Sequence, residues 1–244
     1  MELTIAHLYP DSMSLYGEYA NVAVLRRKLE AMGVEVSVRR FTCEDTLDFS
    51  GVDFIYMGAG TEKRQKSVLL AAPNYAPALK AAVEGGAVLL FTGNAMETLG
   101  ASVTDAAGKV WPGYGLADFT TVETDRRDPG DVVAASGLWD APAVGFMNKC
   151  SLTRGVTAPL FKELPLGFGN EAEHGPEGYA SGNVFATHLT GPVLVKNPHI
   201  LDFFVRRLFA AKGWACPEAL PELPHQREAY EVTLRELRGR IKNQ

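Results

Sequence analysis

The side chains that could do chemistry in this 244-residue chain are few and scattered. Cys43, Cys150 and Cys216 supply thiols; His7, His174, His188, His199 and His225 supply imidazoles. The cysteines form no CxxC pair, and their odd number reads as free thiols. The histidines show neither HExxH nor any other zinc spacing, so no metal site and no cofactor is expected. Two glycine-bearing turns stand out instead. Gly58-Ala59-Gly60 closes the apolar run Val52 to Met57. Lys63 follows it, yet neither a Walker loop nor a Rossmann fingerprint is complete. Thr92-Gly93-Asn94 follows the continuous apolar run Ala87 to Phe91 and opens a short helical stretch that ends at Gly100.

Turns of this kind need a frame, and the first two thirds of the chain provide one. Leu3 to Tyr9 reads as a buried strand. Val22, Leu25, Leu29 and Met32 then lie on one face of a helix that Gly33 stops. Val34 to Phe41 alternates Val34, Val36 and Val38 with polar residues, as a half-buried strand does. Val52 to Met57 is a third strand. A helix is expected from Pro77 through Glu84, with the proline in its first turn. Ala87 to Phe91 has the unbroken apolar character of a strand at the centre of a parallel sheet. Strand and helix in alternation predict an α/β sheet with right-handed crossovers. From Trp111 to Asn170 the pattern changes to short strand-like runs, Phe119 to Val122, Asp131 to Ala134 and Val144 to Met147, as in an antiparallel or mixed extension of the sheet. Val184 to His188 is a further strand. Asn197-Pro198 offers an N-cap and a first-turn proline to a helix whose stripe is Leu201, Phe204, Val205 and Leu208. The expected division is a domain over 1–212, then a proline-rich linker and C-terminal helix over 213–244. That helix carries the stripe Tyr230, Leu234, Leu237 and Ile241, which either packs on its own domain or docks onto a partner.

Three segments together resemble the class I, or triad, glutamine amidotransferases, in the branch that contains cobyric acid synthase. The first is Leu89 to Gly100, with a strand, a glycine turn and a short helix. The family writes its nucleophile elbow as Cys-Gly-Gly-Tyr-Gln-Leu-Leu-Gly, which places Gly93 at the cysteine and Gly100 at the last glycine. The second is Gly182 to Pro192, followed by Lys196-Asn197-Pro198. The family's Thr-Tyr-Leu-His-Gly-Pro puts its catalytic histidine on Thr190. The third is Leu8-Tyr9-Pro10-Asp11 with Tyr16-Gly17 and Asn21-Val22. This opening is similar to that of the glutaminase subunits of lipid II isoglutaminyl synthases, as are Gly145-Phe146-x-Asn148 and Gly167-Phe168-Gly169-Asn170. The likeness covers most of residues 3 to 211. It implies a flavodoxin-like α/β fold with a mostly parallel central sheet, helices on both faces and a mixed or antiparallel extension.

The resemblance also implies a chemistry. A thiolate attacks the glutamine side-chain carbonyl, a histidine takes and returns the proton, and backbone N–H groups hold the oxyanion. Gly58, Ala59 and Gly60 match the family's oxyanion loop, although a plain strand-end turn has the same composition. Arg127, in Arg127-x-x-Gly130-Asp131, matches an arginine near bound glutamine, although a solvated arginine is as ordinary a reading. With Asn94 beside the elbow, these are the implied substrate-binding positions. Glycine, however, has no nucleophile, and Thr190 does not titrate near neutral pH. Gly93 and Thr190 are therefore vestigial positions, and no catalytic residue is intact. Cys150 and His188 are the possible substitutes; as structural residues they would be a small buried thiol and an ordinary histidine.

Composition narrows the remaining choices. With 24 basic against 29 acidic residues the formal net charge is -5, which argues against a nucleic-acid partner. No apolar run approaches the ~20 residues of a membrane span. Met1-Glu2-Leu3-Thr4 lacks the basic start of a signal peptide, so a cytoplasmic location is expected. Three functions are open, and the resemblance implies the first two. One is a pseudo-glutaminase subunit in a heterodimer with a Mur-ligase-like synthetase subunit. Another is an active glutaminase that feeds ammonia to that partner for peptidoglycan D-glutamate amidation through a relocated Cys150/His188 pair. The third is a stand-alone module that binds glutamine or a related small molecule. The family fold places Gly93 at a sharp turn between a central parallel strand and a helix.

Overall fold

A computed structural model describes residues 1–242. β1 (Glu2–Leu8) leads through α1 (Tyr19–Ala31) to β2 (Glu35–Phe41), and β3 (Phe54–Met57) through α2 (Glu62–Glu84) to β4 (Val88–Thr92). A four-residue α3 (Ala95–Thr98) follows at once. β5 (Ser102–Thr104), β6 (Val110–Pro112), β7 (Thr120–Ala135), β8 (Ala143–Arg154) and β9 (Glu163–Leu166) leave for a second sheet. The chain returns in β10 (Tyr179–Ser181) and β11 (Val184–Thr187), then runs through β12 (Leu189–Thr190), α4 (Val193–Lys196), α5 (Pro198–Ala211) and α6 (Gln226–Ile241).

The first sheet has the order β10-β11-β4-β3-β1-β2, and only β10 runs antiparallel. Its central strands are buried on both faces, which is why they read as continuous apolar runs. Side chains alternate between two cores. Phe54, Tyr56, Val88 and Leu90 meet Val22, Leu25 and Leu29 of α1 and Phe204 and Leu208 of α5. Ile55, Met57, Leu89 and Phe91 meet Val68, Ala72 and Leu79 of α2. Each such side chain contributes roughly 1.5–3 kcal/mol when fully buried. The strand order reverses between β1 and β3, and the carboxyl ends of the strands around such a point are where open α/β sheets form their sites.

Several expectations need correction. The helix expected from Pro77 begins at Glu62, with Thr61 as N-cap accepting the Arg64 N–H at 3.3 Å, so Pro73 and Pro77 lie inside it. The runs Phe119 to Val122 and Asp131 to Ala134 belong largely to one 16-residue strand, β7. Its register shifts between Glu123 and Asp128, and it carries Pro129 where its edge away from β8 is unpaired, between Val122 and Val133. The extension is a sheet of its own, ordered β12-β8-β7-β5-β6 with β9 also on β7, mixed because β5 runs parallel to β7. The strand expected to reach His188 ends at Thr187, and β12 joins β8 in the second sheet. Asn197 sits at the start of α5 but makes no cap bond. Its buried amide instead exchanges two bonds with Val144, at 2.8 and 2.9 Å, and ties that helix to β8.

The terminal stripe is covered by the chain itself. Tyr230, Leu234 and Leu237 are buried against Val133 and Val144, with Ile241 alongside, and the Tyr230 hydroxyl donates to the Pro142 carbonyl at 2.8 Å. That apolar face is therefore not free for a partner. Residues 243–244, the end of the expected C-terminal segment, lie outside the described residues.

Candidate functional site

Gly93 leaves the end of β4 with φ 61°, the left-handed region that glycine enters without penalty. Its N–H donates to the Leu189 carbonyl at 3.1 Å, and its own carbonyl accepts from the Met96 N–H in α3. The turn expected between a central parallel strand and a helix is present. The space above it is not. A Cβ added to Gly93 would overlap the Ala59 Cβ and come within 3.1 Å of the Thr190 methyl.

The adjoining loop is also engaged. The Asn94 side chain accepts the Gly60 N–H and donates to the Gly60 carbonyl, both at 2.9 Å. The Ala59 carbonyl accepts from Leu15. Gly58 lies behind this layer, where a Cβ would crowd Glu18 Cγ and the Met13 carbonyl, each 2.8 Å away. Thr190, buried on β12, donates its hydroxyl to the Phe146 carbonyl at 3.1 Å. Each position that the resemblance assigns to nucleophile, oxyanion donor or base thus meets a neighbouring group of the chain.

A cavity of about 60 Å3 remains between the two sheets. Ala59, Gly60, Gly93 and Asn94 line it from the first sheet, Arg127 and Cys150 from β7 and β8, and His188 and Thr190 from the segment that crosses between the sheets. Its volume suits on the order of four waters. That is well under the roughly 300–1,000 Å3 of small-molecule sites.

Cys150 and His188 share this cavity but face different partners. The thiol donates to Glu62 Oε1 at 3.2 Å and accepts from Arg127 at 3.3 Å. Burial, then the Glu62 carboxyl, push its pKa up to about 12, so it stays a thiol at neutral pH. Arg127 also bonds Glu62 at 2.6 Å and Asn148 at 3.4 Å, and Asn148 donates to the Tyr16 hydroxyl at 2.8 Å. The His188 ring is held at Nδ1 by Glu177, 3.0 Å away. Its Nε2 faces Thr153 at 3.4 Å and Glu97 at 3.7 Å. A base oriented by an acid is half of a triad, but neither Nε2 contact is a thiol. Cys43 is exposed and Cys216 lies half-buried beside Arg206, both away from the cavity.

Sequence reasoning missed the buried acids that organise the site. Glu97 accepts from Ser151 and from the Gln65 amide, both at 2.6 Å. It stands where the family pattern writes glutamine, a signal the alignment of the elbow already contained. Glu177 accepts from the His188 N–H at 2.7 Å and the Thr187 hydroxyl at 2.6 Å. It sits in an acidic, glycine-rich stretch that reads as solvated loop, so no local signal marks it. Glu18 accepts from Tyr56 at 2.7 Å, Thr92 at 2.6 Å and the Gly191 N–H at 2.8 Å. Among the described residues no group of three His, Cys, Asp or Glu side chains is arranged to hold a metal ion, and no helix is long and apolar enough to cross a membrane.

A parallel α/β sheet with a glycine elbow facing a glycine loop is the frame of a class I glutamine amidotransferase. The profile of the CobB/CobQ-like glutamine amidotransferase domain matches residues 4–198, and the chain belongs to that family. Two curated relatives are both the lipid II isoglutaminyl synthase (glutamine-hydrolyzing) subunit GatD. The one from Staphylococcus aureus is 29% identical over 212 residues, 87% of this chain and 86% of the relative. The one from Streptococcus pneumoniae is 28% identical over 205 residues, 82% of this chain and 77% of the relative. Among solved structures, a glutamine amidotransferase superposes with a TM-score of 0.54 at 16% identity, over 83% of this chain and 98% of its own. The glutaminase domain of Trypanosoma brucei CTPS with bound acivicin gives 0.52 at 11%, over 90% and 98%. Those two likenesses show the fold.

Proposed function

We propose that this chain is a glutaminase-like subunit that does not hydrolyse glutamine, and that it acts in the cytoplasm in a heterodimer with a Mur-ligase-like synthetase subunit that amidates peptidoglycan D-glutamate. The names of the two relatives support the complex and the pathway. The observation that supports the loss of hydrolysis is the seal over Gly93. A residue without a nucleophile is overlain by Ala59, its neighbour Asn94 holds the Gly60 amide, and Thr190 stands where a base is needed. The relocated Cys150/His188 pair is disfavoured because the thiol bonds a carboxyl group rather than the imidazole. A stand-alone binding module is disfavoured by the small cavity. The test is glutamate release from glutamine by the purified chain, alone and with a Mur-ligase-like protein of the same organism. No release in either case, with a stable one-to-one complex, is expected. Release that Cys150→Ser abolishes would overturn the proposal in favour of an active glutaminase.

A further inference from the structure

At the free edge of the first sheet, a groove of about 530 Å3 runs between β1, β2 and one face of α1. His7 and Arg40 line it from the strands, and Tyr19, Arg26, Arg27 and Glu30 line it from the helix. Arg26 is paired with Glu30 at 2.7 Å. Arg27 and Arg40 have no ion-pair partner among the described residues. A chain of net charge -5 thus gathers uncompensated positive charge in one place.

His7 adds a polar group to this groove. It is 4% exposed, and its Nε2 has no hydrogen-bond partner. At the rim Tyr19 is 62% exposed. Exposed tyrosine and arginine are the residue types that carry protein–protein hot spots. Lining residues this open make a groove for another protein's surface rather than an enclosure for a metabolite. The segment between β1 and α1 is shared: Pro10 and Ser14 line the groove, and Leu15 and Tyr16 line the cavity between the sheets.

We propose that this groove is the docking site for the synthetase subunit, which presents an acidic segment to Arg27 and Arg40 and packs an apolar or aromatic side chain on Tyr19. The proposal rests on the reading of the chain as a subunit. Charge complementarity selects the partner's chemistry, and the shared segment brings the partner's surface beside the cavity.

The test measures the affinity of the full chain for a Mur-ligase-like protein of the same organism, at about 0.1 M and about 1 M salt. Arg27→Glu/Arg40→Glu should raise Kd at least about tenfold at the lower salt. The gap should narrow at the higher salt, where the screening length falls from about 10 Å to about 3 Å. Tyr19→Ala should weaken binding by about tenfold at both salts. Arg235→Glu, an exposed reversal on α6, makes the same kind of charge change elsewhere and should leave Kd unchanged. If the double reversal melts early, the exposed single change Arg27→Glu carries the charge test. Wild-type affinity in the groove variants overturns the docking site and leaves the subunit reading standing; no binding by the wild-type chain overturns both.

Discussion

Putting a cysteine back at Gly93 should destabilise the protein and restore no chemistry. Two costs add. At φ 61° a side chain meets the left-handed backbone penalty of about 1–2 kcal/mol. The new Cβ overlaps the Ala59 methyl and crowds Thr190 at 3.1 Å, overpacking of a kind that costs about 1–3 kcal/mol. Gly93→Cys should therefore lose roughly 2–5 kcal/mol, a fall in Tm on the order of 10 °C for a chain of this size. Ala59→Gly removes the overlap but not the backbone penalty. In a double-mutant cycle the two changes should couple favourably by about 1–3 kcal/mol, even though Ala59→Gly alone costs up to about 1 kcal/mol. Neither variant should release glutamate, because His188 Nε2 faces Thr153 and Glu97 and Asn94 still holds the Gly60 amide. The assays are denaturant unfolding and a glutamate-release measurement. A Gly93→Cys protein as stable as wild type, or additivity with Ala59→Gly, would refute the sealed-elbow reasoning; hydrolysis by Gly93→Cys alone would refute the argument that the base is missing.

Cys150, with its thiol held near pKa 12, should react with iodoacetamide at pH 8 far more slowly than exposed Cys43, read by peptide mass spectrometry. A glutamine-like diazo-ketone should leave it unmodified, and labelling that glutamine blocks would contradict this. Leu234→Ala should lower stability by about 2 kcal/mol through lost packing on Val133 and Val144 while leaving partner affinity unchanged. Weakened partner binding with normal stability would show that α6 docks outward. His199 is drawn down by burial from 6.5 to about 4, and His7 likewise by burial and then by Arg40. Both take up protons more readily unfolded than folded, so the stability present above pH 6.5 should be lost as pH falls toward 4, by roughly 3 kcal/mol per group. Urea midpoints at pH 7 and pH 4.5 check this, and equal midpoints would contradict it.

What the sequence disclosed follows from where its signals come from. Strands buried on both faces announce themselves as apolar runs, so β1, β3 and β4 were legible, and so were the stripes on α1 and α5. The elbow was legible because a glycine between a buried strand and a short helix leaves few other geometries. The start of α2 was hidden because Pro73 and Pro77 read as helix boundaries although both lie inside it. β7 was hidden by Asp128, Pro129 and Gly130, residues that a strand tolerates where one edge is unpaired, as β7 is on the side away from β8 between Val122 and Val133. Cys150 and His188 were placed near one cavity but not in their contacts. Glu62, far from Cys150 in sequence, and Glu177, in the polar loop before His188, decide which way each side chain faces, and no local pattern marks them.

The persistence of the elbow without its nucleophile has a physical basis in Glu18. This fully buried acid joins the ends of β3 and β4 to the turn after β12, through Tyr56, Thr92 and the Gly191 N–H. Asn21, one turn into α1, extends the net by donating to the Tyr56 hydroxyl at 2.7 Å and accepting the Leu194 N–H at 2.8 Å. Removing any one partner leaves a buried polar group short of a bond, at about 1–3 kcal/mol each. A thiol and an imidazole in the cavity above make no comparable contribution to folding. The groups that set the elbow's position are thus not the groups that would do its chemistry. A glycine at position 93 and a threonine at 190 remove the second set and leave the first fully bonded.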